Sequence, residues 1–225
     1  MSDIGFPSVI VNFKVYSEVE GRKALTLAKI CEKVAEESGA NIVVCPPMLE
    51  LSAVSASCSI PVFSQNVDPR KPGSGTGFTT PSSVAAAGCA GTLVNHSEHK
   101  QSVSDVGTCV SMSKDLGLCV CVCSDTAEGA KDLAAFHPHM IAVEPPELIG
   151  GDVSVTTANP KIVSDTVETV HSVDKDVAVL CGAGVKNGRD VRTALDLGAS
   201  GVLLASGVVK AKDPESVIRD LISLI

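Results

Sequence analysis

The sequence predicts an α/β fold of the (β/α)8 barrel class, a single domain over residues 1–225. Three observations predict it. Short apolar runs rich in β-branched residues recur eight times along the chain. Stretches with a helical period or a helix-start pattern stand between them. No long linker and no low-complexity stretch interrupts the alternation. An open doubly wound sheet would give the same alternation, but eight even units favour closure.

The elements follow in order. Val9–Asn12 is the first strand. Ser17-x-x-Glu20 has the capping-box spacing that opens a helix. Ala24, Leu27, Ala28, Cys31, Val34 and Ala35 give that helix one apolar stripe, and Gly39 ends it. Ile42–Cys45 is the second strand and Val62–Ser64 the third. Val54–Ser59 and Ser82–Gly88 leave room only for short helices. The polar, glycine-rich segment Asn66–Thr79 follows the third strand as a long loop. Thr92–Asn95, Leu118–Cys123, Met140–Val143, Val177–Cys181 and Gly201–Leu204 complete the set of strands. They are near-continuous apolar runs, as parallel strands buried on both faces should be. Thr80-Pro81, Asn159-Pro160 and Asp213-Pro214 each put a capping side chain before a proline at the first helical position. Val217, Ile218, Leu221, Ile222 and Ile225 form the apolar face of the last helix.

Composition excludes several classes of function. A chain of 225 residues with 44% hydrophobic content can fill one core. The net charge of −8, from 18 basic and 26 acidic residues, argues against nucleic acid as a partner, because no basic surface is on offer to displace counterions. No apolar run approaches the ~18 residues of a membrane helix, so no membrane partner is expected. The N-terminus carries Asp3 and no basic region, and a cytoplasmic location is expected. The cysteines number nine, an odd count that fits a reducing compartment better than a disulfide framework. Cys119, Cys121 and Cys123 alternate along one strand. Alternate residues stand about 6.6 Å apart, so their thiolates cannot converge on one zinc at ~2.3 Å. They are expected to be small packing residues, and no metal is expected.

A barrel carries its function at the carboxyl ends of its strands. The first strand ends in Asn12-Phe13-Lys14 and the fourth in Asn95-His96-Ser97-Glu98. The sixth ends in Glu144, with Pro145-Pro146 after it and Gly150-Gly151 further on. The seventh runs into Gly182-Ala183-Gly184 and the eighth into Ala205-Ser206-Gly207. Each alone has an ordinary reading: a loop lysine, a core histidine, a solvated acid, a tight turn, a helix cap. Together they put a cation, an imidazole, a carboxylate and two glycine-rich turns at one mouth. Glycine lets backbone N–H groups approach an anion closely, so the two turns suit a phosphate. Pro145-Pro146 stiffens the chain after Glu144 and the glycine pair frees it, which is a way to build a base under a lid. His137 and His139 precede the sixth strand, at the opposite face, where residues serve stability, and His171 falls late in a helix.

These motifs resemble the triosephosphate isomerase family in its compact archaeal form. Asn12-Phe13-Lys14, Val94-Asn95-His96-Ser97-Glu98, Glu144-Pro145-Pro146-Glu147-Leu148-Ile149-Gly150, Cys181-Gly182-Ala183-Gly184 and Leu204-Ala205-Ser206-Gly207 carry the resemblance in the family's order, from Val9 to Pro214. It implies cofactor-free interconversion of dihydroxyacetone phosphate and D-glyceraldehyde 3-phosphate through an enediolate, a step of glycolysis and gluconeogenesis. Glu144 is the implied base, His96 the electrophile, Lys14 the cation, and Asn12 the donor to the developing oxyanion. Glu98 is implied to support Lys14. Asn12, Phe13 and Lys14, with Ile149 and Gly150 on a lid from Glu144 to Asp152, would contact substrate, and Gly184, Ala205 and Ser206 its phosphate. Cys123 matches a cysteine often near the site and is expected to pack. The family usually reads Gly-Thr-Gly after the isoleucine; here Gly150-Gly151-Asp152 stands, which predicts a looser lid. The loop Asn66–Thr79 is implied to brace a neighbouring subunit, giving a homo-oligomer, a tetramer for the compact form or else a dimer.

Two other readings stay open on the sequence. One is a different phosphate-binding barrel enzyme, such as a phosphosugar aldolase; the Schiff-base kind needs an inner lysine, and only Lys14 is at hand. The other is a non-catalytic phosphometabolite binder, which would not need Glu144 and His96 together.

Overall fold

A computed structural model describes residues 4–145 and 155–225. The strands are β1 (Ser8–Asn12), β2 (Asn41–Cys45), β3 (Phe63–Ser64), β4 (Gly91–Val94), β5 (Cys119–Ser124), β6 (Met140–Val143), β7 (Ala178–Gly182) and β8 (Gly201–Leu204). They form one 8-stranded sheet in the order β2-β1-β8-β7-β6-β5-β4-β3. Every pairing is parallel. The ends of that order meet at a single parallel bridge, Val44 to Val62, so the barrel is nearly closed. The weak seam has a local cause. Pro61 enters β3 and has no N–H to give, and β3 is only 2 residues long.

The helices are α1 (Arg22–Ser38), α2 (Leu51–Ser57), α3 (Pro81–Ala86), α4 (Val103–Asp115), α5 (Ala127–Ala134), α6 (Val155–Ala158), α7 (Pro160–His171), α8 (Gly188–Asp196), α9 (Ser206–Val209) and α10 (Pro214–Leu221). The expected short helices are short, at 7 and 6 residues for α2 and α3. Among the described residues no helix is long and apolar enough to cross a membrane.

Two cores follow from the period of the strands. Ile10, Val43, Phe63, Leu93, Met140, Leu180 and Leu203 point inward and fill the barrel, so it is a packed interior and not a pore. Cys119, Cys121 and Cys123 belong to the same interior, one alternate face of β5. Val9, Val11, Ile42, Val44, Val120 and Val122 point outward under the helices.

Local chemistry sets the ends. Thr80 and Asp213 cap α3 and α10 as expected, accepting from Ser83 N and Ser216 N. Asn159 does not cap α7. It stands at φ −153°, ψ 74°, directly after α6. The capping box at Ser17 and Glu20 does not form either. Ser17–Val19 is a 3-10 turn, Ser17 bonds Glu18, and Gly21 precedes α1 with its N–H on Glu50 Oε1 at 3.1 Å. The long loop after β3 is pinched at its neck, where Asp68 and Thr79 exchange 2.7 Å hydrogen bonds.

Candidate active site

The carboxyl ends of β1, β4, β6, β7 and β8 surround a cavity of about 500 Å³. Asn12, Lys14, His96, Glu144, Ala183, Gly184, Ala205 and Ser206 line it. Seven of these are expected site residues and Ala183 is the middle of the expected glycine-rich turn; Glu98 stands just behind them. Phe13 does not join them: it is fully buried among the outward-facing core residues, because it follows Asn12 on the opposite face of the strand. Ile149, Gly150 and the rest of the expected lid, with the Gly151-Asp152 departure, lie outside the described residues.

β1 delivers Asn12 and Lys14 to the same face. Lys14 has a left-handed backbone (φ 50°), unusual for a non-glycine residue. Asn12 Oδ1 accepts its N–H at 2.9 Å, which holds that turn and leaves the amide NH2 as what Asn12 can offer a ligand. Gln65 Nε2 donates to Lys14 O at 2.8 Å and to Cys45 O at 3.0 Å. The Lys14 ammonium donates to Glu98 Oε1 at 2.9 Å.

β4 ends in Asn95, also left-handed (φ 63°). Its side chain spans Cys123 O at 3.0 Å and Gln101 N at 3.0 Å and so fixes the following turn. In that turn the backbone N–H of Glu98 donates to His96 Nδ1 at 3.1 Å. An accepting Nδ1 leaves the ring proton of a neutral imidazole on Nε2, which faces Glu144 Oε2 at 3.4 Å. Burial, then the Lys14 ammonium, push the His96 pKa down to about 4. Glu98 is not a helix-start acid, since α4 begins at Val103.

Glu144 is only 5% exposed. Burial pushes its pKa up to about 7, against Lys14 and a hydrogen bond from the Cys123 thiol, which lower it. Its Oε2 finds no hydrogen-bond partner among the described residues. A buried, poorly solvated carboxylate beside a neutral imidazole donor is suited to take a carbon-bound proton at neutral pH.

β7 runs into Ala183 (φ 67°) and Gly184 (φ 71°), two successive left-handed residues on the cavity wall. The loop of Ala205, Ser206 and Gly207 meets them from β8.

Sequence reasoning missed what five residues contribute. Gln65 also ends a strand, and the same rule would have found it. Cys123 packs as expected but also hydrogen-bonds Glu144. Gly182 touches the Glu144 side chain so closely that a Cβ there would overlap it. Tyr16 and Lys210 line the mouth. Spacing carries no sign of these last three. Three of the other four histidines are bonded elsewhere. His137 pairs with Asp174 at 2.6 Å, His139 accepts from Val120 N at 3.1 Å, and His171 Nε2 faces Val177 O at 3.2 Å.

Comparison with known proteins gives one answer. A family model described as triosephosphate isomerase matches residues 7–223. The triosephosphate isomerase of Methanocaldococcus jannaschii is 48% identical over 217 residues, covering 96% of this chain and 99% of that protein. That of Methanoculleus marisnigri is 47% identical over 219 residues, covering 97% and 99%. That of Methanopyrus kandleri is 46% identical over 219 residues, covering 96% and 97%.

Proposed function

The chain belongs to the triosephosphate isomerase family, and from that premise we propose that it interconverts dihydroxyacetone phosphate and D-glyceraldehyde 3-phosphate through an enediolate, with Glu144 as base and His96 as electrophile. This division of roles is the one established for the family.

Glu144 removes the proton from the carbon α to the carbonyl and returns it to the neighbouring carbon. His96 Nε2–H polarises the carbonyl and moves a proton between the two oxygens. Its neutrality serves this, because an imidazole near the acidity of the enediol can give and retake a proton. Lys14 and the Asn12 amide stabilise the oxyanion as it forms. Glu98 positions two groups, holding Lys14 by its carboxylate and His96 by its N–H. Gly184, Ala205 and Ser206 take the phosphate through backbone N–H groups. The family resemblance assigns Glu144 to Asp152 the part of a lid, with Ile149 and Gly150 toward substrate, and closure of such a lid would keep water from the enediolate. Lys14, engaged by Glu98, serves electrostatics better than a Schiff base, which disfavours the aldolase reading.

The observation that carries the proposal is the buried Glu144 carboxylate, 3.4 Å from His96 Nε2. Glu144→Gln tests it in a coupled isomerisation assay. A fall of about 10²–10⁴ in kcat, with KM changed far less, is expected. Largely intact activity would refute the mechanism and favour a binder.

The chain acts as a homo-oligomer, a tetramer or else a dimer, in the cytoplasm. Val15 and Leu49, 82% and 95% exposed on the loops after β1 and β2, support assembly. Light scattering that returned an active monomer would contradict it.

A further inference from the structure

The lysine beside the β8 turn has no role in the mechanism above. Lys210 directly follows α9, and its N–H donates to Ser206 O at 3.0 Å. It is therefore held one turn from Ser206, on the wall of the same cavity. Its side chain reaches across to the loop after β1, where Nζ stands 4.3 Å from the centre of the Tyr16 ring. Tyr16 is partly buried against the core and also lines the cavity, so the ring is a fixed platform. The contact spans the mouth between two paired strands, β1 and β8.

This arrangement differs from that of Lys14, which is buried and engaged by Glu98 at 2.9 Å. An aromatic face attracts an ammonium without neutralising it, and it leaves N–H donors on the far side for an anion. Glu18, on the 3-10 turn after Tyr16, is the carboxylate that feels Lys210, and it is exposed. The phosphate turns themselves, 182–184 and 205–207, carry no cationic side chain. A chain of net charge −8 repels a dianion at long range, so the local sign at the mouth decides the rate of capture.

We propose that Lys210, held over the Tyr16 ring, is a steering and positioning residue that draws the substrate's phosphate dianion to the turns at Gly184 and Ser206. The inference rests on the isomerase reading for its substrate. It assigns Lys210 a part in capture and none in proton transfer.

The test compares Lys210→Met, Lys210→Arg, Tyr16→Leu and Tyr16→Phe with the unaltered protein over a range of ionic strength. For Lys210→Met, kcat/KM on D-glyceraldehyde 3-phosphate should fall about tenfold at low salt, within the range of electrostatic steering. The deficit should shrink as salt screens the field. Lys210→Arg and Tyr16→Phe should keep the salt dependence, since charge and ring face remain, and Tyr16→Leu should lose part of it. Turnover of D-glyceraldehyde, which has no phosphate, should fall less than twofold in Lys210→Met. An unchanged salt dependence, or an equal loss on both substrates, would overturn the proposal. Calorimetric titration with inorganic phosphate separates this from a failure of the isomerase reading. Weaker phosphate binding in Lys210→Met supports the Lys210 assignment even in a protein that does not isomerise, and equal binding overturns it even in one that does.

Discussion

Gly182→Ala should damage the reaction without replacing a group that performs it. A Cβ built on Gly182 would stand 2.9 Å from both Cδ and Oε1 of Glu144, and nearer still to Cγ. Carbon contacts are ordinarily about 3.5–4.0 Å, so the carboxyl group must retreat by roughly 1 Å. The backbone at Gly182 is not left-handed, so alanine is tolerated there and the overlap falls on the side chain it faces. A misplacement of about 1 Å at a reacting group can lower the rate about 10²-fold, equivalent to about 2.7 kcal/mol in the barrier. The assay is coupled isomerisation with kcat and KM resolved, together with thermal unfolding to show that the variant is folded. The loss should fall on kcat. In a Glu144→Gln background the same substitution should add little, because the group it displaces no longer acts as base. A variant that kept kcat within about threefold of the unaltered protein, or that lost as much again in the Glu144→Gln background, would refute the reasoning.

The other predictions concern acidity and closure. With Glu144 at about 7, kcat/KM should fall as pH drops below that value, about tenfold per unit. A pH profile whose acid limb lay below pH 5 would contradict the burial argument. The same shift has a stability consequence. The folded-state pKa lies above the ordinary 4.5, so the folded protein holds the proton more tightly and loses stability as pH rises from 4.5 to about 7. Glu144→Gln removes that penalty, on the order of 3 kcal/mol, and should raise Tm more at pH 8 than at pH 5; equal shifts in thermal unfolding would count against it. Gly201→Ala should weaken barrel closure. Gly201 has φ +155° and its Cβ would meet Ser8 N at 2.8 Å, where β8 pairs with β1. A loss of about 3 kcal/mol or more is expected in urea unfolding, and a loss under about 1 kcal/mol would refute it.

The strands were legible because a buried parallel strand has to be apolar along its whole length, and the runs at Val9, Ile42, Met140 and Gly201 need little context. Strand-end polarity then exposed Asn12, Lys14, His96 and Glu144, since polar residues stand out where apolar runs stop. Capping was less legible. Thr80 and Asp213 cap their helices, whereas Asn159, placed before a proline in the same way, follows directly on α6 and does not. A cap depends on the conformation before it, which the pattern Asn-Pro does not specify. Gly182 and Tyr16 were hidden for a different reason. Their importance lies in what approaches them from 38 and 194 residues away in the chain, Glu144 and Lys210 respectively, and no local period encodes such a meeting.

The backbone itself marks the site. Of the four non-glycine residues in the left-handed region among those described, Lys14, Asn95 and Ala183 each follow the end of a strand at this mouth, and only His137 stands elsewhere. Such residues cost about 1–3 kcal/mol apiece and persist only where neighbours hold them. The holding contacts are visible for two of them. Asn12 Oδ1 takes the Lys14 N–H, and the Asn95 amide joins Cys123 O to Gln101 N. The same groups face the cavity or stand directly behind it. Strain in the Lys14 turn aims the ammonium at Glu98, and the Asn95 turn aims the Glu98 N–H at His96. The pKa values of Glu144 and His96 follow first from burial and then from a shared neighbour, Lys14, which lowers both. That common influence works to one end. It keeps the imidazole neutral and restrains the rise of the carboxyl pKa to a value near neutrality, where a base can both take and release a proton.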